Sequence, residues 1–318
     1  MSQKEAQHMR LTLLENAIDF MLSAAEESQG ETNRDLKYAI LHLCNGIELL
    51  LKERLRREHW SLLFSDVDKA DPVSLAAGDF TSVGFWPALN RVGKIAGLEL
   101  NRKTLSLLKK IRDCRNRISH FAFEGNKDQV LGVVLRAWSW VLDFIHKELS
   151  DELTGALADE IENIKQLMSK NEKFVATRLS ELEAELSGPR AEFLVSFCPE
   201  CLQEALLLGD GDPRCLFCHF SSDPESTADA YASAFGDWMS PKDRMITGDS
   251  VRLCPECETY ALVERYDATT GPNHVCFWCG ISGSFEECPR CGELYDPGGK
   301  EDYMPMCGKC WKCLIQHD

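Results

Sequence analysis

Apolar side chains recur at every third or fourth position through most of residues 1–150, which is the spacing of one face of an α-helix. This pattern predicts four helices, over residues 8–26, 33–58, 101–119 and 127–149. Thr32 or Asn33 is placed to cap the second helix, and Asn101 to cap the third. Because few stretches alternate apolar and polar residues, we expect the helices to form an antiparallel bundle.

Two further segments depart from this simple bundle pattern. Residues 65–90 contain several glycines and prolines, so they are predicted to be mostly loop with short helical pieces. Residues 151–186 carry apolar side chains at steps of mostly three and four, with charges between them. That spacing predicts one amphipathic helix, which either pairs in a short coiled coil or packs on its own bundle. Gly188-Pro189 is expected to end it.

Twelve of the fifteen cysteines form six Cys-x-x-Cys pairs. The pairs are Cys198/Cys201, Cys215/Cys218, Cys254/Cys257, Cys276/Cys279, Cys288/Cys291 and Cys307/Cys310. A Cys-x-x-Cys turn presents two sulfurs to one side of a metal, and Zn²⁺ takes four such ligands in a tetrahedron. Taken two at a time, the pairs are separated by 13, 18 and 15 residues, which is close to the spacing of zinc ribbons. We therefore predict three zinc sites on short β-hairpins.

A disulfide framework is the competing interpretation of these cysteines. Residues 1–30 have the pattern of an acidic amphipathic helix, not of a signal peptide, and no apolar run is long enough to span a bilayer. We therefore expect a cytoplasmic protein with reduced thiols. Cys44 and Cys114 fit helix cores, whereas Cys313 either competes for the third metal or is a spare thiol. Pairing of adjacent cysteine turns is assumed, since an interleaved cross-brace would use the same residues.

These patterns divide the chain into five segments. They are a helical bundle (1–150), an amphipathic connecting helix (151–190), a first zinc ribbon (191–220), a linker with one short helix near Tyr231–Met239 (221–250), and two further ribbons (251–318). The expected fold class is therefore an all-α N-terminal part followed by small β elements.

The net charge of −16 is distributed unevenly along the chain. Residues 1–150 sum to +1, residues 151–190 to −4 and residues 191–318 to −13. Such an acidic C-terminal part is a poor binder of phosphate backbones, so its ribbons are expected to hold shape or to bind a protein. Residues 91–117, in contrast, sum to +7, and a second basic cluster comprises Lys52, Arg54, Arg56 and Arg57. These clusters are either solvated helix faces or a surface for an anionic ligand.

The end of the third predicted helix reads Arg115-Asn116-Arg117-Ile118-Ser119-His120. This hexapeptide resembles the Arg-polar-x-x-x-His signature of the HEPN superfamily. Its members are helical bundles, and many are metal-independent endoribonucleases of toxin–antitoxin, abortive-infection and CRISPR systems. The apolar stretch 38–52, which carries Glu48, resembles the helix that precedes the signature in that family. The resemblance covers roughly residues 8–150, with a longer interruption at 60–100 than a minimal member needs.

The resemblance implies a role for each of four residues. His120 would act as general base or acid, Arg115 would clamp the phosphate, and Asn116 would orient the phosphate or the imidazole. Glu48 would hold Arg115 or His120 in place. Because Arg115 and His120 are five residues apart, they share a face only if the helix ends or bends near Ser119. Since one chain offers one such histidine, the resemblance also implies a homodimer whose two motifs line one cleft.

The expected function is a metal-independent endoribonuclease that binds RNA and acts as a defence or toxin effector. Its zinc ribbons would bind an inhibitory protein partner or restrain the nuclease themselves. One alternative is a non-catalytic HEPN-like module that binds RNA or protein on a zinc-ribbon scaffold. Another is a zinc-ribbon adaptor of the transcription or translation machinery. Metal-dependent hydrolysis is disfavoured because four thiolates leave no position for water, and no membrane partner is expected.

Overall fold

The computed structural model describes residues 10–209, 211–235, 251–265, 273–298 and 304–315. The chain divides into two compact units, Met1–Arg178 and Leu179–Asp318. The helices of the first unit are α1 (Leu13–Glu27), α2 (Asn33–Glu58), α3 (Pro72–Ala77), α4 (Phe85–Ile95), α5 (Arg102–His120), α6 (Lys127–Leu149) and α7 (Ala156–Ser169), while α8 (Glu172–Ala191) crosses the boundary. None of the helices in the described ranges combines the length and apolar character needed to cross a bilayer.

Side-chain caps determine where several of these helices begin. Thr12 and Thr32 each form a capping box with an acidic residue at the third helical position. Asn101 caps α5 through its side-chain oxygen. Helix α2 keeps its predicted bounds, whereas α1 begins after Thr12, later than the prediction of residue 8. Residues 1–9 lie outside the described part of the chain.

Helix α2 is the central helix of the first unit, because it contacts α1, α4, α5 and α6. Its buried face includes Ile40, Leu43, Ile47 and Leu51. Gly46 lets α1 approach closely, since a Cβ at this position would lie 2.6 Å from Cε of Met21. Trp138 of α6 is fully buried, and its indole N–H donates to Oγ of Ser28 at 3.2 Å. The predicted helical character of the N-terminal part is confirmed.

The stretch between α2 and α5 is more helical than its glycines and prolines predict, although its helical pieces are short. It contains two 3₁₀ turns, Trp60–Leu63 and Val67–Lys69, together with α3 and α4. Arg91 of α4 closes this stretch by donating from Nη1 to the backbone oxygens of Leu62 and Phe64, both at 2.6 Å. One of the cations counted in the basic stretch 91–117 therefore has a structural use.

The prediction of one continuous helix over residues 151–186 is wrong. After a short 3₁₀ turn, Ser150–Glu152, the segment forms α7 and then α8. Asn171 starts the second helix, because its side-chain oxygen accepts the backbone N–H of Phe174 at 3.0 Å. The break shifts the buried face, so Phe174 and Arg178 are fully buried while Val175 is only half-buried. Helix α8 also runs past Pro189, although Gly188-Pro189 was expected to end it.

A buried arginine fixes α8 to α6. Nη1 of Arg178 donates to the hydroxyl of Ser139 at 2.9 Å and to its carbonyl oxygen at 3.1 Å. Nη2 of Arg178 lies 2.8 Å from Oδ1 of Asp143, whose side chain is 37% exposed. A fully buried guanidinium is tolerated only with such partners, so this contact holds the first turns of α8 against α6.

The second unit contains small antiparallel sheets. Its elements are β1 (Val195–Phe197), β2 (Glu204–Leu207), β3 (Arg214–Cys215), α9 (Pro224–Phe235), β4 (Val251–Leu253), β5 (Tyr260–Glu264), β6 (His274–Cys276), β7 (Ser282–Gly283), β8 (Glu286–Glu287), β9 (Leu294–Tyr295) and α10 (Gly308–Ile315). The strand orders are β1-β2-β3, β4-β5-β6-β7 and β8-β9. Helix α9 begins earlier than the predicted 231–239, and residues 236–250 lie outside the described ranges.

The sheets β1-β2-β3 and β4-β5-β6-β7 have the same irregularity in their first strand pair, and they pack against each other. Each has a register shift in its first strand pair, after Ser196 in one and after Arg252 in the other. Gly280 makes the close approach possible: its φ is +71°, and a Cβ would lie 2.9 Å from Cα of Gly209. Arg265 donates to the backbone oxygens of Phe193 and Val195, at 2.9 and 3.0 Å. The first two sheets therefore form a single packed body.

Replacing Arg178 with alanine should destabilise the first unit by about 3 kcal/mol, since it removes the buried partner of Asp143 and Ser139. The measurement is the urea midpoint of the transition reported by tryptophan fluorescence. Arg136→Ala is the matched control, because Arg136 is an exposed arginine of α6. Equal midpoints for the two variants would contradict a stabilising role for the Arg178 contacts.

Candidate functional site

Arg115 and Glu48 form an ion pair between α5 and α2. Nη2 of Arg115 lies 3.3 Å from Oε2 of Glu48, and Nη1 donates to Oδ1 of Asn116 at 3.0 Å. The two paired side chains are 24% and 19% exposed, so the contact is half-buried and open to solvent on one side. The structure thus brings together three of the four residues that the HEPN-like motifs single out.

Glu48 also binds a second cation. Its Oε1 accepts a hydrogen bond from Nζ of Lys52, one turn further along α2, at 2.9 Å. The same ammonium donates to Oγ of Ser82 at 3.1 Å. The Glu48 carboxylate therefore binds two cations, Arg115 and Lys52, and the hydrogen bonds from both restrict its rotation. Sequence reasoning missed both contacts: the Glu48–Lys52 spacing of four residues on a helix could have shown the first, whereas Ser82 is 30 residues from Lys52 and carries no sequence signal.

The basic cluster at the end of α2 is neutralised by acidic partners. Nε of Arg54 lies 2.9 Å from Glu148 of α6. Arg56 and Arg57 both reach the buried carboxylate of Glu53, at 2.8 and 3.5 Å. These pairs make the cluster a structural junction between α2 and α6, so it offers little free charge to an anionic ligand.

The inner side of the Arg115 guanidinium faces the core. Its Nε is buried and has no hydrogen-bond partner among the described residues. Burial raises the pKa of the nearby Cys44 thiol to about 11, and the positive charge of Arg115 offsets only part of this effect. Cys44 is therefore a neutral core residue, in line with its helical position.

His120 is separate from the other three residues within one chain. It is the last residue of α5 and is exposed, and the following N–H of Phe121 still bonds to the oxygen of Arg117 at 2.8 Å. The helix neither bends nor ends at Ser119, so Arg115 and His120 lie about 140° apart around its axis. No hydrogen bond joins His120 to Arg115, Asn116 or Glu48 among the described residues.

The twelve paired cysteines gather into three groups of four sulfurs. The groups are Cys198/Cys201/Cys215/Cys218, Cys254/Cys257/Cys276/Cys279 and Cys288/Cys291/Cys307/Cys310. Within each group, the sulfurs all lie within 4.8 Å of one another. Adjacent cysteine turns therefore pair with each other in all three groups, which settles the choice against an interleaved cross-brace.

The sulfur separations fit a tetrahedral metal and not a disulfide. They are 3.7 Å for Cys198–Cys218, 3.8 Å for Cys254–Cys279 and 3.7 Å for Cys291–Cys307. Four sulfurs placed 2.3 Å from a central zinc have edges of about 3.8 Å, whereas a disulfide bond measures about 2.05 Å. All of these cysteines are free thiols. The donor set and its spacing thus suit one zinc ion in each group.

The backbone of each leading cysteine turn has the same shape. The residue after the second cysteine has a positive φ in every case, at +60° for Leu202, +56° for Glu258 and +74° for Gly292. The N–H of that residue bonds back to the carbonyl of the first cysteine, at 2.9, 3.0 and 2.8 Å. Two non-glycine residues in this conformation are strained, so the surrounding turn must hold them there.

The third group differs from the other two in its second cysteine turn. Cys307 and Cys310 lie at the beginning of α10, where the N–H of Trp311 bonds to the oxygen of Cys307 at 2.9 Å. Cys291 in this group is exposed, whereas all four sulfurs of the first group are buried. Cys313 is exposed on α10 and is not one of the four clustered cysteines.

Four neighbouring thiols cannot all ionise without a cation. In the first group, hydrogen bonds from Cys201 and Cys215 lower the pKa of Cys198, whereas burial raises the pKa of Cys215 well above its ordinary value. A hydrogen bond with Cys198 acts to raise the pKa of Cys218, but those from Cys201 and Cys215 lower it and prevail, so the titration belongs to the four thiols together and not to one of them. A divalent cation at the centre would supply the charge that lets all four sulfurs ionise.

Comparison of the chain with models of protein families, with curated proteins and with solved structures found no match. What the protein does is therefore inferred from its own residues. Those that carry chemistry are the Glu48–Arg115 pair with Asn116, the exposed His120, and the three groups of four cysteines.

Proposed function

We propose that the first unit is a metal-independent endoribonuclease domain of the HEPN type, acting as a homodimer on RNA. We propose further that the second unit holds three structural Zn²⁺ ions. The observation that carries the nuclease proposal is the Glu48–Arg115 ion pair at 3.3 Å, on the two helices that resemble the family's motif helices. The exposed His120 at the end of the same α5 supplies a group for proton transfer.

The environment of Arg115 suits a phosphate ligand. Glu48 and Asn116 engage one N–H on each terminal nitrogen, which leaves a second N–H on each of them. A planar guanidinium held in this way can offer a pre-oriented fork to phosphate oxygens without losing rotamer freedom on binding. The role proposed for Glu48 and Asn116 is to hold that orientation, and they are positioning residues in this account.

RNA cleavage without metal requires removal of the 2′-hydroxyl proton and protonation of the leaving 5′-oxygen; in this proposal His120 takes the first proton and water supplies the second, and the imidazolium then returns a proton to the hydroxide left behind. Each chain offers one motif histidine, and about 140° of helix rotation separates it from Arg115. A second copy related by a twofold axis would supply the missing partner, so that Arg115 of each chain faces His120 of the other. This arrangement is the reason for proposing a homodimer.

The proposed zinc ions have a structural role. The first two sheets bury apolar side chains such as Phe217 and Phe277, whereas the two-stranded third sheet buries few, so ion binding would add to the folding free energy of all three groups and most to that of the third. Four thiolates leave no open position on the ion, which excludes a metal-bound water as nucleophile. Scaffolding or binding of a protein partner is the function that remains for this acidic unit.

One observation favours a second candidate function. Arg115 is already paired and His120 is remote from it within the chain. A helical module that binds RNA without cleaving it does not need Arg115 and His120 to lie closer together. The non-catalytic RNA-binding protein is therefore the alternative that the cleavage assay below must distinguish.

Wild-type protein incubated with mixed RNA and no added divalent metal should leave cyclic-phosphate ends. His120→Ala should reduce the rate at least about 100-fold, because it removes the proton-transfer group. Arg115→Ala should cause a comparable loss, because it removes the cation that stabilises the phosphorane. His59→Ala, at another exposed histidine, is the matched control and should retain the wild-type rate. RNA binding without cleavage by the wild type would favour the non-catalytic module, and equal rates for His120→Ala and wild type would overturn the assignment.

Native mass spectrometry should find three zinc ions per chain. Changing Cys254 and Cys257 together to serine should reduce the content to two, since it removes half of the second group. Cys313→Ser is the control and should retain three ions, because that thiol lies outside the third group. A content below three in the wild type, or a loss of one ion in Cys313→Ser, would contradict the proposed ligand sets.

A further inference from the structure

A cavity of about 460 Å³ lies beside the end of α5. It is bounded by the first turns of α2, the last turn of α5, the loop that follows, and the beginning of α6. Ile118 and Phe121 line it, and they flank His120 in the sequence. The cavity is within the size range of small-ligand sites, and it lies at the same end of α5 as His120, which is not itself one of the lining residues.

The inner wall of this cavity is apolar and its mouth carries an aromatic ring. Ile40 and Val130 form buried parts of the wall. Phe121 is 81% exposed and Phe123 is half-buried behind it, with the guanidinium of Arg117 5.1 Å from the Phe123 ring centre. A large apolar ring left in water beside a cavity is available for stacking against a flat ligand.

The charges at the rim favour an anion. Lys37 and Lys127 line the cavity, and the guanidinium of Arg117 lies against the ring of Phe123. Lys127 is held in place by donating to the backbone oxygen of Glu31. Glu124 is the only acidic residue among those that line the cavity. A flat apolar body with negative charge at its edge is the chemistry of a nucleotide, and an unpaired base stacked on an aromatic ring is the usual way proteins hold single-stranded RNA.

We propose that this cavity is a base-binding subsite for one unpaired nucleotide of the RNA. The base stacks on Phe121 against the apolar wall, while Lys37 and Lys127 meet its phosphates. The identification of the ligand as the cleaved RNA rests on the proposed nuclease function; the binding of an unpaired nucleotide does not. Occupation of the cavity places the adjoining phosphodiester near the end of α5, where His120 is exposed.

The test is equilibrium binding of labelled single-stranded octaribonucleotides to the full-length protein carrying His120→Ala, which keeps the RNA intact. Adding Phe121→Ala should weaken binding roughly 5- to 150-fold for RNA with bases, because one stacking contact is lost. Binding of an otherwise identical abasic octamer should not change. Phe121→Trp should restore the affinity. Fluorescence anisotropy measures all of these affinities.

One further variant tests the loss of an exposed apolar side chain elsewhere on the surface, and another tests whether binding requires an open cavity. Val73→Ala removes a side chain that is 75% exposed on α3, outside the cavity lining, and should leave affinity unchanged. Gly125→Leu should block the cavity, since a Cβ at that position points to Phe123 and Val130 at 3.4 Å. The backbone of Gly125 has no positive φ, so a side chain there is compatible with the loop.

The outcomes separate this proposal from the nuclease proposal. Cleavage by the wild type, together with equal RNA affinity in the Phe121→Ala and Val73→Ala proteins, would overturn the subsite and leave the nuclease standing. Base-dependent binding lost in Phe121→Ala, with no cleavage by the wild type, would support the subsite and overturn the nuclease. A Phe121→Ala protein that changes oligomeric mass but binds RNA normally would show that the ring is a contact between copies, and would also overturn the subsite.

Discussion

Charge matching on the inward face of α2 is the constraint on which the first unit depends. This helix contacts four others, and it carries Glu48, Lys52 and Glu53 among its apolar residues. A half-buried charge must find a partner or lose the hydration it had in the unfolded chain. Glu48 meets this requirement with Arg115 of α5 and Lys52 of its own helix. Arg115 follows the buried Leu108 and Ile111 at helical spacing, so the pair lies on the inward face of α5.

The same pairing has a functional consequence. It holds Arg115 in one orientation, half-exposed, and it turns the end of α5 outward with His120 and Phe121 in solvent. The proposed nuclease needs both groups at one phosphate and therefore a second chain, and the proposed base-binding cavity at the same end of α5 would give that phosphate a position. The second unit depends on a different constraint. Its small sheets combine buried apolar residues such as Phe217 and Phe277 with three groups of four cysteines, which the proposed ions would hold together.

The sequence predicts much of this architecture because the signals are local. The bounds of α2, the cap at Asn101 and the six Cys-x-x-Cys pairs follow from spacing and from residues a few positions apart, whereas the sequence leaves open which pairs gather into one group. The proximity of Glu48 to Arg115 is expected from the motif resemblance, and it is a contact between helices. The catalytic roles of these residues stay predictions.

What the sequence does not predict depends on contacts between distant residues. The break at Asn171 was missed because a step of seven from Met168 to Val175 fits a continuous helix as well as two helices. The burial of Arg178 depends on Asp143 and Ser139, which are 35 and 39 positions away. The neutralisation of the basic cluster at the end of α2 depends likewise on acidic residues of other segments. Charge counts along the chain cannot show which cations are already paired.

The most direct test of the central claim is to mix Arg115→Ala and His120→Ala proteins, each inactive alone, and to measure RNA cleavage after the subunits have exchanged. If each active site combines Arg115 of one chain with His120 of the other, hybrid dimers contain one complete site. The mixture should then recover about a quarter of the wild-type rate, since about half of the dimers are hybrids and each has one of its two sites intact. A mixture that stays as inactive as its components, while the wild type cuts RNA, would contradict a site shared between two chains.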